Sequence, residues 1–172
     1  KQLLENWNRT DTGMLSVSIS SLDKSLECLV EPIDPMLLAR YGWLRALAIL
    51  SPQSLNDREQ YKAQVLLWLY LVQHTNPSYV PPETGNKVTL ASAWLKEEAR
   101  GSEESLPPLP PGTELRVNGI PVAYQSTLVR PALVQLLWTR DGKVHQSNLL
   151  LPGESLTWNA PAACPVCLSA NQ

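Results

Sequence analysis

The chain has no phenylalanine, two histidines, two methionines and eight scattered glycines in 172 residues. Each shortage narrows the chemistry. With only His74 and His145 available, a Ser/His/Asp or Cys/His nucleophile has two candidate bases. His74 falls at a helix C-terminus, where the dipole favours an imidazolium. His145 lies mid-strand beside Gln146, and the stretch Gly153-Glu154-Ser155-Leu156-Thr157 lacks the second glycine of a nucleophile elbow. None of the glycines forms G-x-G-x-x-G or G-x-x-x-x-G-K, so loops that cradle phosphates are missing. The paired carboxylates Glu97-Glu98 point apart on a helix, and Glu103-Glu104 sits in a Gly/Ser-flanked connection, so both read as solvated surface charge.

Charge of one sign is also lacking. Fourteen basic residues face 16 acidic ones, a formal net charge of -2, and no Lys/Arg cluster offers the basic footprint that nucleic acid requires. Nucleic acid is therefore excluded as a partner. The longest apolar run, Val65-Leu66-Leu67-Trp68-Leu69-Tyr70-Leu71-Val72, falls far short of the roughly 20 residues of a transmembrane helix. The chain starts at Lys1 without a signal-type apolar region, and the expectation is a domain excised from a longer protein, with any signal or anchor upstream.

Cysteine is scarce and odd in number: Cys28, Cys164 and Cys167. Cys164-Pro165-Val166-Cys167 has the spacing of a redox pair or half a zinc site, but it follows a terminal strand, not the helix start that lowers a thiolate pKa. Zinc would need two further ligands, and only Cys28, His74 and His145 remain as soft or borderline ones. The expectation is a disulfide among Cys28, Cys164 and Cys167, with no metal and no cofactor.

What the chain does have is 15 prolines, six tryptophans and a change of period near its middle. Leu15, Val17 and Ile19 alternate with serines, which predicts a half-buried strand over 14–20, followed by a short helix from Ser21 that Pro32 ends. Asp34-Pro35 is a helix start, predicting a helix from Pro35 to about Leu50. After a short connection at Ser51-Pro52-Gln53, a second helix from Ser54 or Asn56 through His74 must pack antiparallel to it. A third runs from Thr89, as cap, to Arg100, with Gly101 as stop.

Past the proline-rich stretch Leu106–Gly112 the period becomes two. Glu114–Val117, Asn118-Gly119 and Ile120–Tyr124 form a hairpin signal, with Pro121 placing its strand at an edge. Pro131–Thr139 and Lys143–Leu151 flank Asp141-Gly142 as a second hairpin, and Ser155–Trp158 supplies a fifth strand.

The expected architecture is thus α+β. A helical module over 1–105, of three to four helices plus one strand, precedes a Pro-rich spacer over 106–112. A five-stranded antiparallel meander, barrel or sandwich, follows over 113–160, and a Cys-containing tail over 161–172. Arg40 and Arg45 interrupt an apolar helix about 140° apart around its axis, and either could meet an anion or acidic partner. Trp138 and Trp158 lie on strands, where large rings fill a core or, if outward, anchor a partner. The expected function is a non-enzymatic protein–protein interaction or assembly domain of a larger secreted or cell-envelope protein, extracytoplasmic in location. Its partner is another protein chain, docking through Trp138, Trp158, Pro121, Arg40 or Arg45. Two alternatives stand beside it. One is a small-ligand sensor with an apolar pocket between helices and sheet. The other is a thiol-disulfide or metal protein using Cys164 and Cys167.

Overall fold

The computed structural model describes residues 12–27, 29, 31–50, 58–81, 85–96, 102–106, 108–109, 112–124, 127–140 and 143–151. Among them run four helices, α1 (Thr12–Glu27), α2 (Pro35–Leu50), α3 (Arg58–Thr75) and α4 (Asn86–Leu95). Six strands follow: β1 (Ser102–Ser105), β2 (Glu114–Val117), β3 (Ile120–Val122), β4 (Thr127–Arg130), β5 (Ala132–Arg140) and β6 (Lys143–Leu151). The protein is α+β, with helices and a small antiparallel sheet. It divides into two compact units, Lys1–Leu22 with Pro35–Gly101, and Asp23–Asp34 with Ser102–Gln172. The second unit takes in an early segment of the chain, Asp23–Asp34, together with the strands.

In the helical unit the predicted strand over 14–20 is instead part of α1. Leu15, Ile19, Leu22, Leu26 and Leu29 recur at intervals of three and four, a helical stripe longer than the alternation that competes with it. Ile19 packs on Leu44 and Ala48, while Val17, off the stripe, is exposed. Helix α2 has the expected bounds. It packs antiparallel to α3: Met36 touches Asn76 at one end, and Tyr41 meets Trp68 further along. Gly42 permits the approach, because a β-carbon there would stand 3.1 Å from the Trp68 carbonyl oxygen and 3.2 Å from a Val72 methyl. Trp43, Leu38, Leu47, Leu50, Val65, Leu69, Leu71 and Val72 are fully buried. Helix α4 docks through Val88, Ala91 and Trp94, three residues apart each time. It begins earlier than expected. Gly85, at φ 126°, precedes it, and Thr89 is no cap but returns both its N–H (2.9 Å) and its hydroxyl (3.1 Å) to the Gly85 carbonyl.

The strand unit holds two antiparallel sheets among the described residues, β1–β4 and β3–β2–β5–β6. Asn118 and Gly119 turn the β2–β3 hairpin with φ of 53° and 82°, as a type I′ turn demands. Asn118 then extends the sheet. Its N–H donates to the Leu133 carbonyl at 2.8 Å, and its side-chain oxygen accepts the Leu133 N–H at 2.9 Å. The β5–β6 register runs from Arg140↔Lys143 to Ala132↔Leu151, as the Asp141-Gly142 turn predicts.

One expectation fails here. The strands are not a simple meander, because β5 lies beside β2 and not β3. The chain between them is diverted through β4, which pairs with β1, a run of serines and glutamates whose ladder partner overrides its weak strand propensity. Two residues of the expected spacer over 106–112 pack with the strands. Leu106 is buried with Leu115, Leu128, Ala132, Val134 and Leu136, and Leu109 packs on the same cluster. The expected fifth strand over 155–158 and the tail lie outside the described residues.

Ala132, Val134 and Leu136 of β5 fill that core; Leu133 and Gln135, on the opposite face, are also 0% exposed. Main-chain carbonyls of Leu29, Glu31 and Ile33 meet this unit at Gln135 and Gly119. The Gln135 amide nitrogen donates to the carbonyls of Leu29 at 3.2 Å and Glu31 at 3.1 Å, and the Gly119 backbone lies against the carbonyl of Ile33.

Candidate functional site

Arg40 and Arg45 are both drawn into aromatic packing in the helical unit. The Arg45 Nε donates to the Tyr41 hydroxyl at 2.8 Å. Its guanidinium sits 5.5 Å from the Tyr41 ring centroid and 5.1 Å from that of Trp68, rings that meet edge to face at 5.7 Å. Such a cation–π contact holds the arginine over its own helix pair and contributes about 0.5–1 kcal/mol. Arg40 Nη1 donates to the Tyr79 hydroxyl at 3.1 Å, and the Tyr79 ring lies 6.3 Å from that of Trp43. Both arginines thus organise the unit's own rings.

Trp138 is half-buried and packs against the cluster around Leu115 and Val134. The reason is its place in the alternation: it follows Ala132, Val134 and Leu136 on the inward face. Pro121 is exposed on β3, at the edge of the sheet. In this hairpin Val117↔Ile120 flank the turn as a hydrogen-bonded pair, so position 121 directs its backbone away from β2. Proline has no N–H to offer there, and the outer edge of β3 is blunted against strand addition. Trp158, Cys28, Cys164 and Cys167 lie outside the described residues.

Three exposed apolar side chains gather at one end of the α2–α3 pair, and sequence reasoning missed them. Met36 is 53% exposed, Leu37 62% and Val80 81%. The backbone that presents Val80 is firmly held. Asn76 N–H donates to the Val72 carbonyl at 2.8 Å, Ser78 N–H to the Asn76 side-chain oxygen at 3.1 Å, and Tyr79 N–H to the Asn76 carbonyl at 3.0 Å. The Asn76 amide reaches Met36 Sδ at 3.6 Å, and buried Tyr79 anchors the turn beneath. A signal existed in the sequence: Met36-Leu37-Leu38-Ala39 is apolar on every side of the first helical turn, more than one packing face can cover. In the strand unit Ile120 and Tyr124 are likewise exposed, though the Tyr124 hydroxyl is tied to the Leu106 carbonyl at 3.1 Å.

No family model, curated protein or solved structure matches this chain. Its site is therefore read from geometry alone. Among the described residues no group of three or more His, Cys, Asp or Glu side chains could hold a metal ion. Also among them, no helix is long and apolar enough to cross a membrane. His74 is exposed and stacks on the Tyr70 ring at 5.4 Å, one helical turn away. The Arg116–Glu114 ion pair at 2.6 Å joins side chains of one strand, and with Glu114 half exposed it adds little to stability.

Proposed function

We propose that this chain is a non-enzymatic protein–protein interaction or assembly domain of a larger secreted or cell-envelope protein. The observation that carries the reading is the end of the α2–α3 pair, where Met36, Leu37 and Val80 stay exposed on a backbone pinned by hydrogen bonds. Single exposed apolar residues need no explanation; grouped ones on a pre-ordered surface lose little entropy when a partner covers them. A second feature supports a compact strand unit. Leu128 of β4 shares one core with Leu115, Val134 and Leu136 of the larger sheet, which favours a small sandwich.

The test is a double variant of the full chain, Leu37→Glu with Val80→Glu, compared with wild type in quantitative cross-linking and affinity capture from the source cell's extract. Both positions are exposed, so stability should change by less than about 1 kcal/mol. Partner yield should fall by about tenfold or more, equivalent to losing ~1.4 kcal/mol of binding. An identical set and yield of captured proteins from both chains would remove this surface as the docking site.

The extracytoplasmic location has its own measurement, intact mass with and without reduction after alkylating free thiols. A bridge from Cys28 to Cys164 or Cys167 is the expected result. Three free thiols would count against an oxidising compartment.

A further inference from the structure

Asn118-Gly119 is the one Asn-Gly pair of the chain, and it carries a reaction of its own. Asparagine is thermolabile, because the nitrogen of the next peptide can attack its side-chain carbonyl carbon. Glycine in that next place leaves the nitrogen open, having no side chain to obstruct the approach. The fold opposes the attack. Asn118 is 6% exposed, its Oδ1 accepts the Leu133 N–H at 2.9 Å, and its own N–H donates to the Leu133 carbonyl at 2.8 Å. The carboxamide is thereby held toward β5, whereas Gly119 leads into β3, on the other side of β2. Bringing the Gly119 nitrogen onto the carboxamide carbon means turning that group away from Leu133.

We propose that Asn118 is a self-modification site, latched by Leu133 and reactive when the hairpin opens locally, and that its isoaspartate product bars the hairpin from closing again. In the open state the Gly119 nitrogen loses its proton and bonds to Asn118 Cγ. The Cγ–Nδ2 bond breaks, and the amide nitrogen leaves with a proton as ammonia. Water, the only co-reactant, then opens the succinimide ring. Addition at Cγ breaks the new bond to Gly119 and gives aspartate; addition at the main-chain carbonyl carbon breaks the original peptide bond and gives isoaspartate. Aspartate keeps a side-chain oxygen for the Leu133 N–H. Isoaspartate does not, since its main chain runs through Cβ and Cγ and is one atom longer before Gly119. Asn118 is fixed on Leu133, and Gly119 lies against Ile33, whose oxygen would stand 2.3 Å from a β-carbon there. A longer path between two fixed points breaks one of them, so each opening that ends in isoaspartate is permanent.

The experiment follows the full-length chain in mildly alkaline buffer at rising guanidinium chloride below its unfolding midpoint, with the fully unfolded chain as reference. Peptide mapping by mass locates the exchange of NH2 for OH at Asn118. A protease that cuts before aspartate but not isoaspartate separates the products, and hydrogen exchange of the Leu133 amide reads the opening in parallel. Asn118 in the folded chain should react at least about a hundredfold more slowly than in the unfolded one. Modification and Leu133 exchange should rise with denaturant in the same proportion, because both sample one open population. Returned to plain buffer, the isoaspartate form should exchange its Leu133 amide about tenfold or more faster than wild type, whereas Asn118→Asp should retain protection there. Equal rates in folded and unfolded chains would overturn the latch, as would a modification rate that stays flat while Leu133 exchange rises. An isoaspartate chain with wild-type protection at Leu133 would overturn the barred closure. So would an Asn118→Asp chain that loses as much, since charge and not chain length would then be the cause.

Discussion

Replacing Gly119 with valine is expected to cost the strand unit about 3–4 kcal/mol, a large share of the 5–15 kcal/mol that holds a typical domain together. Two independent penalties coincide at this position. Its φ of 82° is a conformation that a β-branched residue adopts only under strain, about 1–2 kcal/mol for a residue forced to be left-handed. The new β-carbon would also stand 2.3 Å from the Ile33 carbonyl oxygen, a backbone atom that cannot rotate away. Ile33 must then move, and each hydrogen bond from Gln135 to the nearby Leu29 and Glu31 carbonyls that is lost with it is worth about 1 kcal/mol. Urea denaturation reads the total, and amide exchange reads its location. Protection should fall around residues 29–33 and 115–122. Gly119→Asn divides the two causes, because asparagine tolerates positive φ while keeping the β-carbon. If Gly119→Asn is as stable as wild type, the steric argument is wrong.

Gln135→Glu should have an effect of similar size at neutral pH, and one that depends on acidity. The wild-type amide faces two carbonyl oxygens with two N–H groups. A carboxylate in that place, 0% exposed in the parent chain, would present buried negative charge to two acceptors. Protonated, it regains one donor. The folded state therefore holds the proton to higher pH than the unfolded chain, whose glutamate titrates near about 4.3. The variant should come closest to wild type below that pH. It should lose about 1.4 kcal/mol for each pH unit above it until the folded carboxyl also ionises. Gln135→Leu, which removes both donors together with the unpartnered Oε1, should cost less, about 2 kcal/mol, with no added pH dependence. Denaturation midpoints of the three chains between pH 3 and pH 8 decide it; a Gln135→Glu curve parallel to that of Gln135→Leu would mean that the amide's donors are not what position 135 supplies.

Much of the local structure is legible in the residues themselves. Asp34-Pro35 predicts the start of α2, the apolar spacing predicts its run to Leu50, and Asn118-Gly119 predicts the positive φ values that turn β2 into β3. Each depends on interactions within a few residues, which neighbouring side chains and backbone sterics enforce wherever the segment goes. The candidate site was legible only in part. Arg40 and Arg45 are conspicuous in an apolar helix, but only packing shows that Tyr79, Tyr41 and Trp68 claim them. Met36 and Leu37 belong to a turn that is apolar on every side, but only packing decides that they are the two left exposed while Leu38 and Ala39 are buried.

Tertiary structure alone decided the longer-range matters: that β5 pairs with β2, that Leu106 and Leu109 join the core, and that Leu29, Glu31 and Ile33 meet Gln135 and Gly119. The physical reason is common to all three. A main-chain carbonyl or an apolar side chain carries no record of its partner in its own neighbourhood. What it meets is set by which surfaces remain unburied once every other element has packed. The sequence by itself determined such elements as α2 and the β2–β3 hairpin with its turn; competition for burial and for hydrogen-bond partners across the whole chain determined the others and which of them meet.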